Sequence, residues 1–222
     1  MSVLSQFTAK LEVYSIDEAF LALDEFQHLD LQDYGQKIRA SVGQQTGIPV
    51  SIGVAPTKTL AKVANHYAKD HLETKGVFCL LQYRVIDHYL KETPVKEVWG
   101  IGREKAIFLE RHGINNAFQL KNAPDDWIKK YLTIVTLRTV WELRGISCLS
   151  LEEIPLDKKA ISISRTFGYE VSELSQMQEA VSAYISRAAE KIRQQRSLAG
   201  YVQVYVETNP FKSGSLYRNS AG

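Results

Sequence analysis

Several kinds of residue and segment are scarce or missing in this sequence, and each absence narrows what the protein can be. The 222 residues include only two cysteines, Cys79 and Cys148, with neither disulfide-framework nor metal-ligand spacing, which suits a reducing compartment. No run of about eighteen apolar residues occurs, so the sequence predicts no membrane span. The opening residues lack the basic and apolar regions of a signal peptide, and we therefore expect a cytoplasmic protein.

Two common signatures of metal and nucleotide sites are also missing. The five histidines show no paired metal-ligand spacing, and no Gly-x-x-x-x-Gly-Lys loop occurs, which argues against a kinase or NTPase. Hydrophobic residues make up 45% of the chain and charged residues 23%, which is ordinary for a globular protein. These absences leave the other motifs of the chain as its candidate functional sites.

Charge is unevenly distributed, although the formal net charge is only +2. Residues 1–47 contain three basic and seven acidic side chains, a balance of −4, whereas residues 48–76 (four and two) and 100–147 (eight and five) stand at +2 and +3. An acidic opening followed by basic segments suits a cation site beside phosphate-binding surfaces. A mixed, solvated surface explains the pattern equally well, so charge permits nucleic-acid binding without requiring it.

The apolar pattern predicts an α+β protein that begins with a sheet domain, continues with a small all-helical unit and ends with an α/β unit. Strands are predicted at Lys10–Ser15, Glu18–Leu23, Pro49–Val54, Gly76–Leu81, Ala160–Thr166 and Tyr201–Thr208. Helices are predicted from Leu31 to Gly47, from Thr57 onward, over Tyr83–Lys91, in short pieces between Pro94 and Gly145, and over Ser175–Arg196. A linker is predicted at residues 149–158.

Adjacent carboxylates, Asp17 and Glu18, lie at the predicted turn between the first two strands. Oxygen ligands at strand ends are what magnesium takes, usually with substrate phosphates completing its shell. A solvated hairpin turn is the simpler explanation when the pair is considered alone.

The helix from Thr57 supports the hypothesis that the two carboxylates bind a metal ion. At about 100° per residue, Lys58, Lys62 and Lys69 fall within about 40° of one another, opposite an apolar face. Such a lysine row is usually the solvent-exposed face of a helix. Here it follows a strand and would stand near the carboxylates, where a triphosphate needs cationic partners.

A Gly-Ile-Gly turn, Gly100-Ile101-Gly102, lies between two predicted short helices. The second helix would present free backbone N–H groups and its positive dipole end to one DNA phosphate. Arg103 and Lys105 would add charge to this helix–hairpin–helix, which reads the DNA backbone rather than the bases. An ordinary interhelical loop is the alternative, and the surrounding apolar residues favour DNA binding.

In the last third of the chain, Ser164 and Arg165 lie on the predicted strand that follows the linker. A phosphate-tracking strand there is possible from the residues, but basic and acidic side chains are nearly balanced in this segment. A solvated surface explains it adequately.

Four motifs occur in one known order: YSIDEAF, SIGVAPTKTLAKVANHYAK, VWGIG and ISISRTFG. Together they resemble the Y-family translesion DNA polymerases, and within that family the UmuC-like catalytic subunits. The resemblance extends from about Leu11 to Gly222. It implies a partial palm at residues 1–93, a thumb at 94–148, and the first half of a little-finger domain at 159–222.

The resemblance also implies roles for the residues above. Asp17 and Glu18 match the carboxylates that hold two catalytic magnesium ions, Lys69 matches the lysine that contacts the triphosphate, and Gly100–Gly102 matches the thumb hairpin. The implied reaction is nucleotidyl transfer on primer–template DNA with deoxynucleoside triphosphates. Processed UmuD and RecA are the implied protein partners, and no membrane is involved.

The match has a gap. The family's palm begins with a strand that carries another metal-binding aspartate, followed by the fingers, and nothing before Leu11 resembles them. We therefore expect a fragment that binds primer–template weakly and polymerises little or nothing. Two other hypotheses stay open, a non-enzymatic DNA-binding module and a remnant that interacts with UmuD or RecA.

Overall fold

The computed structural model describes residues 1–26, 28–152, 157–208 and 217–221. The chain forms two compact units, a first unit at Met1–Ile154 and a second unit at Pro155–Gly222. None of the helices in the described part of the chain combines the length and the hydropathy that crossing a bilayer requires.

The first unit opens with two separate pairs of short strands. β1 (Leu11–Val13) and β2 (Ala19–Leu21) form an antiparallel hairpin in which Glu12 is opposite Phe20. β3 (Ile52–Val54) and β4 (Val77–Cys79) are parallel. The predicted strands are therefore present but shorter, and each of these four pairs with only one other strand among the described residues.

The helices around these strands begin and end where local chemistry dictates. α1 (Leu31–Thr46) starts at Asp30, whose carboxylate accepts the Gln32 N–H at 2.8 Å, and it ends at Gly47 in the left-handed conformation (φ +71°). α2 (Lys58–Asp70) follows β3 and packs directly on it. A Cβ at Gly53 would come within 2.1 Å of backbone in α2, so this close approach requires glycine.

The predicted helix at Tyr83–Lys91 is α3 (Tyr83–Glu92). After it the chain forms short helices, as the glycine and proline spacing predicted: α4 (Arg103–Arg111), α5 (Ala117–Lys121), α6 (Asp125–Tyr131) and α7 (Ile134–Leu143). One hydrophobic core runs from α2 through α3 to α7 and includes Leu60, Leu90, Leu109, Leu137 and Leu143, all fully buried. Because this core is continuous, residues 58–143 are held together as one packed body.

Two polar networks reinforce the helical part. Arg144 donates to Asp125 at 2.7 Å and to the carbonyl of Lys121 at 2.8 Å. The Asp125 carboxylate also accepts the Trp141 indole N–H at 2.9 Å. The Trp141 hydrogen bond, and then the Arg144 guanidinium, lower the pKa of Asp125 below its ordinary value.

The second network is centred on Glu142, whose side chain is fully buried. Its carboxylate accepts the N–H groups of Thr59 (3.1 Å), Cys148 (2.7 Å) and Leu149 (3.2 Å). The Thr57 hydroxyl, which caps α2, donates to the carbonyl of Glu142 at 2.9 Å. A single buried carboxylate thus joins α7, the start of α2 and the segment that follows α7.

The second unit contains α8 (Leu174–Gln194) and the antiparallel pair β5 (Val204–Glu207) and β6 (Arg218–Ala221). The predicted strand at Ala160–Thr166 is wrong: these residues have no ladder partner among the described residues, although their side chains alternate. A strand is defined by such pairing, and alternation alone does not supply it. Residues 153–156 of the predicted linker and residues 209–216 of the predicted little-finger unit lie outside the described residues.

Candidate active site and DNA-backbone interface

The carboxylate pair lies in the turn of the β1–β2 hairpin. The N–H groups of Tyr14 and Ser15 both donate to the carbonyl of Glu18, each at 3.1 Å, which closes the turn. The Ser15 hydroxyl donates to Asp17 at 2.6 Å, and this hydrogen bond lowers the pKa of the exposed Asp17 carboxyl. Asp17 is therefore held ionised in a tight turn at the protein surface.

The lysine row of α2 faces this hairpin. Lys62 forms an ion pair with Glu18, and its ammonium lies 6.0 Å from the centre of the Tyr14 ring. Lys69 is exposed, seven residues further along α2, which is about 10 Å at the helical rise. The structure thus brings Lys62 to the carboxylates and leaves Lys69 further along the same helix.

The third lysine of the row has a different environment, which sequence reasoning missed. Lys58 forms a buried ion pair with Glu12 of β1, with side-chain exposures of 11% and 8%. Lys58 also donates to the carbonyl of Ser150 at 2.8 Å, and Glu12 accepts the Glu152 N–H at 2.8 Å. The charged pair therefore fixes residues 150–152 against β1. The sequence signal for this ion pair was Glu12, an acidic residue at an inward position of an apolar strand.

The Gly-Ile-Gly hairpin directly precedes α4, as predicted. The element immediately before the hairpin is a single 3₁₀ turn, Val95–Glu97, in place of the predicted short helix. Gly100 has φ +88°, a conformation that favours glycine, and Ile101 is buried. Gly102 is the N-cap of α4, provides no side-chain cap, and has open space where a Cβ would lie. Arg103 begins the helix, and the Lys105 ammonium lies 3.3 Å from the carbonyl oxygen of Gly100.

The carboxylate turn and the Gly-Ile-Gly hairpin are joined by aromatic side chains. The Trp99 indole N–H donates to the Tyr14 hydroxyl at 3.1 Å, and the two rings meet edge to face with centres 5.3 Å apart. Phe20 completes this aromatic cluster, 5.7 Å from Tyr14 and 5.6 Å from Trp99. No sequence signal identified Trp99 or Tyr14 as a bridge.

The chemistry of the turn fits part of a magnesium shell. Magnesium is commonly bound through one or two carboxylates, with waters and substrate phosphates as further ligands. Asp17 and Glu18 offer such a pair of carboxylates on one exposed turn. Within the described residues, no group of three or more histidine, cysteine or acidic side chains is arranged to hold a metal ion.

In the second unit, Arg165 lines a groove beside α8 together with Arg187, Lys191 and Glu190. Ser164 directly precedes it, in a segment that forms neither helix nor strand. Three cationic side chains and one carboxylate give this groove a net positive charge, which favours the binding of an anion.

Comparison with known proteins identifies the family of this chain. A family model described as the impB/mucB/samB family matches residues 1–66, and the model of the C-terminal domain of that family matches residues 158–221. Protein UmuC of Salmonella typhimurium is 41% identical over all of this chain and 53% of its own length. Protein MucB of Escherichia coli is 37% identical over 99% of this chain and 53% of its own length.

The chain spans about half the length of the curated relatives it matches. Among solved structures, a Y-family DNA polymerase chimera, Dbh-Dpo4(243-245)-Dbh, superposes with a TM-score of 0.67 at 21% identity, over 100% of this chain and 62% of that chain. A likeness at that identity establishes the fold. The chain belongs to the impB/mucB/samB family and is built on the fold of the Y-family DNA polymerases.

Proposed function

We propose that this chain carries part of the active site and part of the DNA grip of a DNA polymerase that copies damaged templates. The observation that supports this most directly is the exposed Asp17–Glu18 turn, with Lys62 paired to Glu18 and the Gly100–Gly102 hairpin joined to the same turn through Trp99. Carboxylates for a cation and free helix N–H groups for a phosphate are the parts that phosphoryl transfer on DNA needs.

In the proposed reaction, the primer 3′-hydroxyl attacks the α-phosphate of the incoming nucleotide, and pyrophosphate leaves. Asp17 and Glu18 would hold magnesium, which supplies charge neutralisation for the phosphate oxygens, two ions being needed for the full reaction. Lys62 keeps the Glu18 carboxylate oriented through their ion pair. Lys69 would contact the triphosphate.

The DNA grip would come from backbone contacts. The N-terminus of α4 at Gly102, with Arg103 and Lys105 beside it, would bind a duplex phosphate, and Ser164 and Arg165 would contact the backbone from the second unit. Contacts of this kind carry little base information, which suits a template with altered bases.

We further propose that the 222 residues alone bind primer–template DNA but extend it little or not at all. Within the described residues the Asp17–Glu18 turn has no third acidic, histidine or cysteine ligand grouped with it, and two carboxylates are too few for a two-ion clamp. The relatives are also about twice as long as this chain. A processed UmuD dimer and RecA are proposed protein partners of the complete polymerase, on the strength of the family resemblance alone.

The proposed DNA-backbone contact at Gly102 is tested by measuring the binding of a fluorescent primer–template duplex across a range of salt concentrations. Gly102→Ala places a methyl group in open space at the phosphate position, so we expect roughly tenfold weaker binding and a salt slope smaller by about one. Gly43→Ala is the matched control, because Gly43 in α1 also has open space around a Cβ position. Equal affinity of both variants and the parent would refute the assigned phosphate site.

The chemistry is tested by primer extension with magnesium and all four deoxynucleotides, using the chain beside its Asp17→Ala variant. We expect DNA binding by both and extension by neither. Extension by the parent that Asp17→Ala abolishes would overturn the proposed inactivity of the 222 residues and show that these carboxylates suffice with further ligands. Extension that survives Asp17→Ala would refute the assignment of Asp17.

A further inference from the structure

We propose that Trp99 is a positioning residue, which transmits duplex binding at the Gly100–Gly102 hairpin to the Asp17–Glu18 turn. The inference rests on the proposed function, because it takes the hairpin as the phosphate site and the turn as the cation site. It adds a physical connection between them and names the side chains that make it.

The connection is short in sequence at both ends. Trp99 directly precedes Gly100, whose positive φ and buried neighbour Ile101 fix the hairpin. Tyr14 directly precedes Ser15, which hydrogen-bonds Asp17 through its hydroxyl and the Glu18 carbonyl through its N–H. The bond from the Trp99 indole to the Tyr14 hydroxyl therefore completes a path from a proposed phosphate site to a proposed cation ligand. That path has two hydrogen bonds, Trp99 to Tyr14 and Ser15 to Asp17.

The aromatic cluster lies at the surface rather than in the hydrophobic core. Tyr14 is 46% exposed, Trp99 is half-buried, and neither belongs to the core cluster that contains Ile101. A hairpin whose two strands have three residues each, joined by an exposed turn, has few buried contacts, so its turn is expected to open locally far more often than the core. A contact that holds Trp99 against Tyr14 therefore shifts the equilibrium of the Asp17–Glu18 turn towards its closed form.

The lysines of α2 strengthen this coupling. Lys58 lies 5.1 Å from the centre of the Phe20 ring while pairing with Glu12, and Lys62 lies over Tyr14 while pairing with Glu18. Because each lysine lies over one ring of the aromatic cluster, we expect movement of the cluster to disturb both ion pairs. A ligand that binds only the native hairpin suppresses openings that displace Trp99, by mass action.

The test is hydrogen–deuterium exchange of the full chain, followed in the peptide Leu11–Leu21, with and without saturating primer–template duplex. In the parent we expect duplex binding to slow exchange of this peptide by about tenfold, which lies in the lower half of the range that one aromatic pair and one hydrogen bond can transmit. Trp99→Ala is expected to abolish that slowing while duplex affinity changes by less than about threefold. Trp127→Ala, a tryptophan substitution elsewhere in the helical part, is the control and is expected to keep it.

A second variant distinguishes loss of the proposed coupling from disruption of the local fold by Trp99→Ala. Tyr14→Phe keeps the ring contact and removes only the hydroxyl that accepts the Trp99 N–H, so we expect an intermediate slowing, about threefold. If the parent binds duplex and the peptide exchanges unchanged, the coupling is refuted while the proposed function stands. Undiminished slowing in Trp99→Ala also refutes it. Absence of duplex binding in the parent refutes the proposed function and this inference with it.

Discussion

Replacement of Glu142 tests how the first unit is held together. This carboxylate is fully buried, accepts three backbone N–H groups, and connects α7 to the start of α2 and to residues 148–149. Two substitutions separate its contributions. Glu142→Ala removes every acceptor, and Glu142→Gln keeps one oxygen.

The magnitudes follow from the three donors. A buried N–H left without an acceptor costs about 1–3 kcal/mol. The Thr59 N–H is buried at the start of α2, whereas Cys148 and Leu149 are half-buried and water can reach them. Glu142→Ala is therefore expected to lower the free energy of unfolding by about 3–5 kcal/mol, less than three complete penalties. Glu142→Gln leaves at least one N–H facing an amide donor and is expected to cost about 2 kcal/mol.

Urea unfolding followed by tryptophan fluorescence measures this loss. The three tryptophans, Trp99, Trp127 and Trp141, all belong to the first unit, so the signal reports that unit and not the second. Glu110→Gln is the control, because Glu110 is exposed on α4 and such a change is expected to stay within about 0.5 kcal/mol. A loss below about 1 kcal/mol in Glu142→Ala would show that the three hydrogen bonds are dispensable and would refute the reasoning.

Three further predictions concern other charged and ionisable groups. Lys58→Met leaves the buried Glu12 unpaired and is expected to destabilise the first unit by about 3 kcal/mol in urea unfolding, whereas Lys10→Met, at an exposed pair, should cost under about 1 kcal/mol. Because the folded pKa of Asp125 lies below its ordinary value of 3.8, its stabilisation is complete above about pH 4 and disappears as the pH falls through the folded pKa. Asp125→Asn should therefore lose less stability than the parent between pH 6 and pH 3 in thermal unfolding. Burial raises the pKa of Cys79 to about 11 from 9.0, so iodoacetamide at pH 8 should modify it roughly 100-fold more slowly than a free cysteine, as mass spectrometry would show.

Much of the local structure was predictable because its causes are local. The apolar positions and Gly47 predicted α1, which the structure has at Leu31–Thr46. The glycine and proline spacing after Pro94 predicted a series of short helices. The Asp17–Glu18 turn was likewise placed correctly between two strands.

The failures share one physical reason, dependence on a distant partner. Ala160–Thr166 alternates like a strand, but strand identity depends on a ladder partner that the local pattern does not specify. The lysine row was recognised on one helical face, yet its charges could equally have faced water. Only the packing of α2 beside the hairpin shows that Lys58 is buried with Glu12 and that Lys62 is paired with Glu18.

The sequence by itself determined the family resemblance, the carboxylate turn and the Gly-Ile-Gly hairpin, because each depends on residue types at short and fixed spacing. The tertiary structure decided how these pieces meet, through the Trp99–Tyr14 contact and the buried Glu142 carboxylate. Contacts between residues 85 positions apart arise when separate apolar faces pack into one core, and no local period encodes which side chains then become neighbours.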